Sequence, residues 1–322
     1  MAMPAVARLR EHLSDSVLDV WTRPGLAALW RMMPAPTAVR ETDDGGLCGP
    51  FRMAPLLRRA RYGVGLLLTN SLRAALSMRF ARLPARIGAA DAESRLLLTH
   101  RVNPPPHTHQ VDCYLALAAC LGATPERCPA GLAIPPPARA WAKSELPDDR
   151  RWVAVHAGAA YGDAKRWPAD RFARLIVGLV REQDLRVVLI GSAAERPGLA
   201  SLFDLVEAAI PAGSWGRDMV GATTIEQLAA LLSRCAMVVG NDSGPLHLAS
   251  ALGVPVLAVF GPTDARVTGP WGPVSAVVDH RVACAPCLRR QCDTDHACML
   301  GIDVAEVERE SLRLLARRED PR

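Results

Sequence analysis

Two stretches of this 322-residue chain combine residue types that suit anion chemistry. The first is His156-Ala-Gly-Ala-Ala-Tyr-Gly-Asp-Ala-Lys165-Arg166-Trp167-Pro168. It leaves an apolar run, passes through small residues that include Gly158, and meets two cations before a helix. Small residues let backbone donors approach a phosphate, and Lys165 adds a point charge. The second is Asn241-Asp242-Ser243-Gly244, which leaves another apolar run and opens a helix. Backbone N–H groups at Ser243 and Gly244 then point above the sheet, where the helix dipole favours an anion. His247 lies about one turn further along. Each stretch also has a plainer reading, as a solvated basic loop and as a strand-to-helix turn capped by Ser243. Only Lys143 and Lys165 are lysines among 38 basic residues, which favours a role for Lys165. His156 by itself reads as structural. A third cluster, Cys284-x2-Cys287-x4-Cys292-x5-Cys298 with His296 inside it, has thiols enough for a tetrahedral zinc site. Free thiols or a packing feature are the alternatives. The other cysteines read as core residues.

The elements that would hold these residues are clearest in the second half. Apolar runs at 152–156, 185–190, 236–239, 254–260 and 274–278 read as strands. Helical patterns lie between them, at 170–184, about 197–209, after the capping-box spacing Thr224-Ile-Glu-Gln227, and at 245–252. Strands of continuous β-branched character alternating with amphipathic helices predict a parallel sheet. The first half is a weaker copy. It has strand patterns at 17–21, 64–68 and 96–99, and helix patterns at 5–12, 26–33 and 113–121. Residues 129–149, with three consecutive prolines from Pro135, read as a semi-rigid linker. Residues 103–109 read as a surface loop.

Composition sets the outer limits. Half of the residues are hydrophobic, 22% are charged, and the formal net charge is +5. Two real cores are expected at that length. The charges are dispersed, which argues against a nucleic-acid partner. No apolar run is long enough to span a membrane, and the first residues lack a signal-peptide pattern. Nine cysteines without such a pattern suggest reduced thiols in the cytosol. No G-x-G-x-x-G and no P-loop occur.

The pairing of HAGAAYGDAKRWPADRF with VVGNDSGPLHLASALGVPVLAVFGPTD resembles glycosyltransferase family 9, the ADP-heptose:lipopolysaccharide heptosyltransferases. The tail CAPCLRRQCDTDHACM resembles its heptosyltransferase II branch. In the first half the resemblance rests on Asp19-Val-Trp-Thr-Arg-Pro-Gly25, Leu68-Thr-Asn-Ser71 with Arg73, and Arg86-Ile-Gly88. It implies an α/β fold of the GT-B type, two Rossmann-like doubly wound parallel-sheet domains facing a cleft. An acceptor-binding domain would span 1–130, a Pro-rich linker 131–150, and a nucleotide-sugar domain with a C-terminal helix 151–322. The implied reaction is inverting transfer of L-glycero-D-manno-heptose from ADP-heptose to the inner core of lipopolysaccharide, on heptosyl-Kdo2-lipid A.

Carried over residue by residue, Lys165 and His247 would be catalytic. The donor would meet Gly158, Lys165, Arg166, Gly191, Ser192, Glu195, Thr223, Thr224, Asn241, Asp242, Ser243, Gly244 and His247. Within that set Glu195 would bind the ribose, and the loop from Gly221 to Thr224 would flank the adenine. Asn70, Ser71, Arg73 and Arg86 would face the acceptor. No cofactor is required, and a structural zinc at the four cysteines is optional. The implied location is the cytoplasmic face of the inner membrane, as a peripheral protein and a monomer. Arg58, Arg59, Arg61, Arg73, Arg79, Arg82 and Arg86 would meet anionic headgroups, at about 1 kcal/mol each near the surface. The largest departure is the absence of the family's first strand and of the Gly-Asp whose Asp is its general base. A chain without them is expected to be less stable and almost inactive while still binding nucleotide. The alternatives are a non-catalytic or truncated ADP-sugar-binding homologue, and a family 9 transferase with another sugar or acceptor.

Overall fold

The computed structural model describes residues 1–42, 45–89, 94–148, 150–211 and 214–317. The chain divides into two compact units, Met1–Ala133 and Ile134–Arg322.

In the first unit the strands β1 (Asp19–Thr22) and β2 (Ala38–Glu41) form one parallel pair. Strands β3 (Val64–Leu66), β4 (Ala85–Ala89) and β5 (His100–Val102) form a separate parallel sheet. The helices Gly49–Ala60 and Leu72–Phe80 cover that sheet through Met53, Ala54, Leu57, Ala75 and Met78. The strand expected at 96–99 starts later. Residues Arg95–Leu97 form a 3-10 turn with Leu96 exposed, and Leu98 turns into the core before β5 begins.

The second unit is one doubly wound sheet. Its strands are β6 (Trp152–His156), β7 (Arg186–Gly191), β8 (Gly216–Val220), β9 (Met237–Asn241), β10 (Val256–Phe260) and β11 (Ser275–Asp279). They lie in the order β11-β10-β9-β6-β7-β8, every pair parallel. β6, β9 and β10 are buried throughout, which explains their uninterrupted apolar character. The helix Ala169–Arg181 sets Phe172, Leu175, Ile176 and Leu179 against them, and Val304–Arg317 adds Val307, Leu314 and Leu315.

The Pro-rich stretch departs from the semi-rigid linker that its composition suggests. Its three prolines open the helix Pro136–Glu145, because the first turn of a helix needs no intrahelical N–H. Ala142 and Leu146 are fully buried there, and Arg234 Nε donates to Leu146 O at 2.9 Å. The boundary between the units therefore falls before this helix, after Ala133.

Candidate functional site

Strand order reverses between β6 and β9: β7 and β8 continue one way, β10 and β11 the other. Loops leaving the carboxyl ends of strands at such a switch point diverge and leave a crevice, the usual ligand position of an open parallel sheet. The two anion-suited stretches are the loops that leave β6 and β9. His156 pairs with Gly240 across them, and a Cβ on Gly240 would lie 2.4 Å from His156 O. Only glycine allows the strand ends to meet so closely.

Asn241 locks the two loops together. It is fully buried; its Oδ1 accepts Trp167 N at 3.0 Å, and its Nδ2 donates to Ala157 O at 2.9 Å and Gly158 O at 3.1 Å. Its amide is engaged on both sides, so Asn241 acts on the loop backbone. Trp167, pinned in this way, packs edge-on to Phe172 at 4.9 Å and seats the end of the loop in the core.

Lys165 therefore emerges from an anchored loop. Its ammonium group pairs with Asp242 Oδ2, and both side chains are nearly buried. Thr263 Oγ1 donates to the same carboxylate oxygen at 2.8 Å, and His247 Nε2 stands 3.9 Å from the other. Lys165 Nζ also lies 4.6 Å from the centre of the Tyr161 ring, which Arg290 approaches at 5.3 Å. An ammonium group has three donors, so a lysine held by one carboxylate and one ring face keeps capacity for an anionic ligand. Arg166, the second cation, is half-buried with Nη1 at 2.9 Å from Asp163.

A carboxylate lies on the other side of His156. Glu195 is buried, with Oε2 accepting from Ser192 N at 2.7 Å and Ser192 Oγ at 2.8 Å. Its Oε1 is 3.5 Å from His156 Nε2 and has no hydrogen-bond partner. Burial alone would raise the pKa of this carboxyl. The His156 ring and the Ser192 donors outweigh burial and bring it down to about 2, so the group stays ionised. Gly158 makes the room: a Cβ there would sit 2.2 Å from Glu195 Oε1. Gly191 ends β7 beside the same carboxylate. Thr224 caps the helix Ile225–Arg234 in a reciprocal pair with Gln227, at 2.9 and 3.2 Å, and Thr223 is half-buried just before it. All of these residues follow the carboxyl ends of β6 to β9.

Four contributors were not singled out from the sequence: the pairing roles of His156, Tyr161, Thr263 and Arg290. Tyr161 and Thr263 stand inside the quoted motifs, so position beside a strand end was the available signal. Arg290 acts from the cysteine-rich segment, which buttresses the Lys165 loop. Ala164 N donates to Arg290 O at 3.1 Å, His296 Nε2 to Ala164 O at 2.8 Å, and Tyr161 Oη to Leu288 O at 2.6 Å. Cys284, Cys287, Cys292 and Cys298 line one cavity of about 180 Å³ beside that loop. Burial, then the neighbouring thiols, push the Cys298 thiol up. Among the described residues no three His, Cys, Asp or Glu side chains are arranged to hold a metal ion. The zinc expectation therefore finds no support.

In the first unit, Asn70 and Arg73 are exposed after β3, and Ser71 caps the helix Leu72–Phe80 by accepting from Ala74 N at 3.3 Å. Arg86 is different. It sits near the amino end of β4, where Nε donates to Leu97 O at 2.7 Å and Nη1 to Leu83 O at 2.5 Å. The carboxyl end of β3 and the amino end of β4 are opposite edges of a parallel sheet, so Arg86 does not converge with Asn70.

The family described as glycosyltransferase family 9 (heptosyltransferase) matches residues 51–298. Lipopolysaccharide heptosyltransferase 2 of Salmonella typhimurium is 29% identical over 291 residues, covering 84% of this chain and 80% of that one. The protein of the same name from Escherichia coli K12 is 28% identical over 286 residues, with 84% and 80% covered. The solved structure of E. coli ADP-heptose lps heptosyltransferase II superposes with a TM-score of 0.81 at 25% identity, over 99% of this chain and 95% of that one. A family 9 glycosyl transferase from Veillonella parvula shares the fold, with a TM-score of 0.82 at 20% identity over 98% and 93%.

Proposed function

The chain belongs to glycosyltransferase family 9 (heptosyltransferase), and we propose that it transfers L-glycero-D-manno-heptose from ADP-heptose to the inner core of lipopolysaccharide. The observation that carries the reading is the Lys165–Asp242 pair beside the Ser243-Gly244 helix start, at the switch point of the second sheet. On this reading the donor diphosphate lies over that helix N-terminus. Lys165 meets it with its remaining donor capacity, while Asp242 and Thr263 hold the ammonium group in place. The acceptor oxygen bonds to the anomeric carbon as its hydroxyl proton passes to a base, the bond from that carbon to the diphosphate oxygen breaks, and the leaving ADP gains negative charge. Lys165 and the Ser243-Gly244 N–H groups stabilise that charge, which is worth a few kcal/mol per well-placed donor. Glu195 Oε1, ionised and without a partner, takes a ribose hydroxyl. Thr223 and Thr224 border the base, and His247 stands beside the diphosphate. Asn70, Ser71 and Arg73 are the proposed acceptor contacts; Arg86 serves the fold.

The acceptor is a lipid, and one outer helix face suits a membrane surface. Phe51 and Leu56 point outward from the helix Gly49–Ala60 at 65% and 45% exposure, interleaved with Arg52, Arg58 and Arg59. Arg58, Arg79 and Arg82 line a cavity of about 440 Å³ together with Phe51 and Phe80, whose rings stack at 4.9 Å. Outward apolar side chains among cations are the pattern of an interfacial helix. No described helix is long and apolar enough to cross a membrane, so the proposed contact is peripheral.

The test is transfer itself. Purified protein is given ADP-heptose and heptosyl-Kdo2-lipid A, and release of ADP and mass gain of the acceptor are followed. Both are expected. ADP binding without transfer would favour the alternative, a non-catalytic sugar-nucleotide-binding protein.

A further inference from the structure

Ser243 occupies the N-cap of the helix Gly244–Ala251, yet its side chain makes no cap hydrogen bond. An N-cap serine normally accepts from an N–H in the first turn. Here its Oγ is turned away, to 3.0 Å from Nδ1 of His156. The other ring nitrogen of His156 points at Glu195 Oε1, 3.5 Å away. The ring is 2% exposed and lies between the loop residues that the donor reading assigns to diphosphate and to ribose.

We propose that His156 is a positioning residue: it diverts the Ser243 hydroxyl from the helix start, leaving the first-turn N–H groups free for an anion, and it aligns the Glu195 carboxylate in the same act. The proposal rests on the donor-site reading above. A carboxylate only accepts, so Nε2 carries its proton toward Glu195. With the proton on Nε2, Nδ1 accepts from the Ser243 hydroxyl. Two recognition groups on different loops are thereby set by one rigid ring before any ligand arrives. Preset donors need no reorganisation when charge develops on a leaving group.

Two features separate this role from that of a core histidine satisfied by chance. Gly158 allows the carboxylate its place, since a Cβ there would stand 2.2 Å from Glu195 Oε1, and Gly240 lets its strand meet the backbone of His156, whose carbonyl oxygen a Cβ would approach to 2.4 Å. Ser192 holds Glu195 through Oε2, and Oε1, which faces the ring at 3.5 Å without a hydrogen bond, keeps its acceptor capacity for a ligand hydroxyl.

The experiment is calorimetric titration with ADP and with 2′-deoxy- and 3′-deoxy-ADP, on wild type and on variants with measured melting temperatures. His156→Ala is expected to weaken ADP binding about tenfold, on the scale of one lost positioning contact. In a Ser243→Ala background the same change should cost less, because the hydroxyl it controls is gone. His156→Asn places a polar atom near the Nδ1 position but none near Nε2. It should recover most of the ADP affinity and lose the preference for ADP over whichever deoxy analogue wild type binds more weakly. Should His156→Ala fail to fold, His156→Asn and His156→Gln carry the comparison, Gln keeping the ribose preference. Wild-type ADP affinity in a folded His156→Ala protein would overturn the proposal, as would losses that simply multiply in the double variant. If wild type itself bound no ADP, the donor-site reading would fall first and the proposal with it.

Discussion

Lys165 in the second unit and the arginines around Phe51 in the first have opposite surroundings. Lys165 is nearly buried, paired with Asp242, and set over an aromatic ring on a loop pinned to the core. Arg58, Arg79 and Arg82 stand on exposed surface beside Phe51, and among the described residues none of them forms an ion pair with a carboxylate. A buried paired cation has its desolvation offset and its geometry fixed, so it suits one ligand in one pose. An exposed set of arginines without carboxylate partners suits a diffuse array of charge, even with Arg58 held to Phe80 O at 2.6 Å. Charge alone therefore does not mark a site in so Arg-rich a chain. What marks it is the number of groups that hold the charge still.

The contrast can be broken most forcefully at Lys165. Lys165→Ala is expected to lower turnover by roughly two to three orders of magnitude, the scale of one lost transition-state donor. A stability loss of a few kcal/mol should accompany it, because Asp242 stays buried without its cation, and the protein should remain folded. Removing Asp242 instead leaves Lys165 without its anchor. Asp242→Ala is expected to weaken ADP binding by roughly tenfold, on the scale of a charge-assisted hydrogen bond, even without acceptor. Calorimetry that found equal affinity would take Asp242 out of the site.

The surface set should behave differently. Phe51→Ser with Leu56→Ser is expected to reduce flotation with anionic phosphatidylglycerol vesicles, and adding salt should reduce it further. Transfer to a water-soluble acceptor fragment should be unchanged. Flotation indifferent to both salt and these substitutions would remove the membrane role of this helix.

Within the first unit, Arg86 and Arg73 sharpen the comparison. Arg86→Ala leaves the Leu83 and Leu97 carbonyls without their donor, so a stability loss of about 1–3 kcal/mol is expected. Arg73→Ala should leave stability within about 0.5 kcal/mol, as for most surface changes, and raise the acceptor KM. Urea unfolding of both variants distinguishes these outcomes.

Glu195 adds a pH dependence. The Glu195 carboxyl falls from 4.5 to about 2 in the folded protein. A depressed carboxylate stabilises the fold above its unfolded value, and that contribution fades as pH drops from about 4.5 toward 2. Glu195→Gln should therefore lose less stability than wild type between pH 5 and pH 3, on the order of a few kcal/mol at most. Parallel denaturation curves at the two pH values check this.

Most of the second unit could be read from its sequence, because its strands are buried on both faces and their apolar runs are unbroken. β8 was missed: Gly216-Arg-Asp-Met-Val is an edge strand whose polar residues carry no such run. In the first unit the strands are short and half exposed, so β2 and β4 gave no pattern. The anion-suited loops were visible from residue type and from their place after strands. The His156 link was not, since a lone histidine closing a strand gives no hint of the Ser243 and Glu195 it joins. Arg86 misled for the same reason in reverse: its charge could be read in the sequence, but the two carbonyls that hold it could not.

On the donor reading, the loops leaving β6 and β9 form a nucleotide-diphosphate site built around Lys165. The direct measurement is ADP affinity by calorimetry for wild type, Lys165→Ala and Arg73→Ala, each confirmed folded by its melting temperature. The account predicts that ADP binds wild type and Arg73→Ala alike, and binds Lys165→Ala at least about tenfold more weakly, the worth of one charge-assisted contact. Equal affinity in all three proteins, or no binding to wild type, would contradict it.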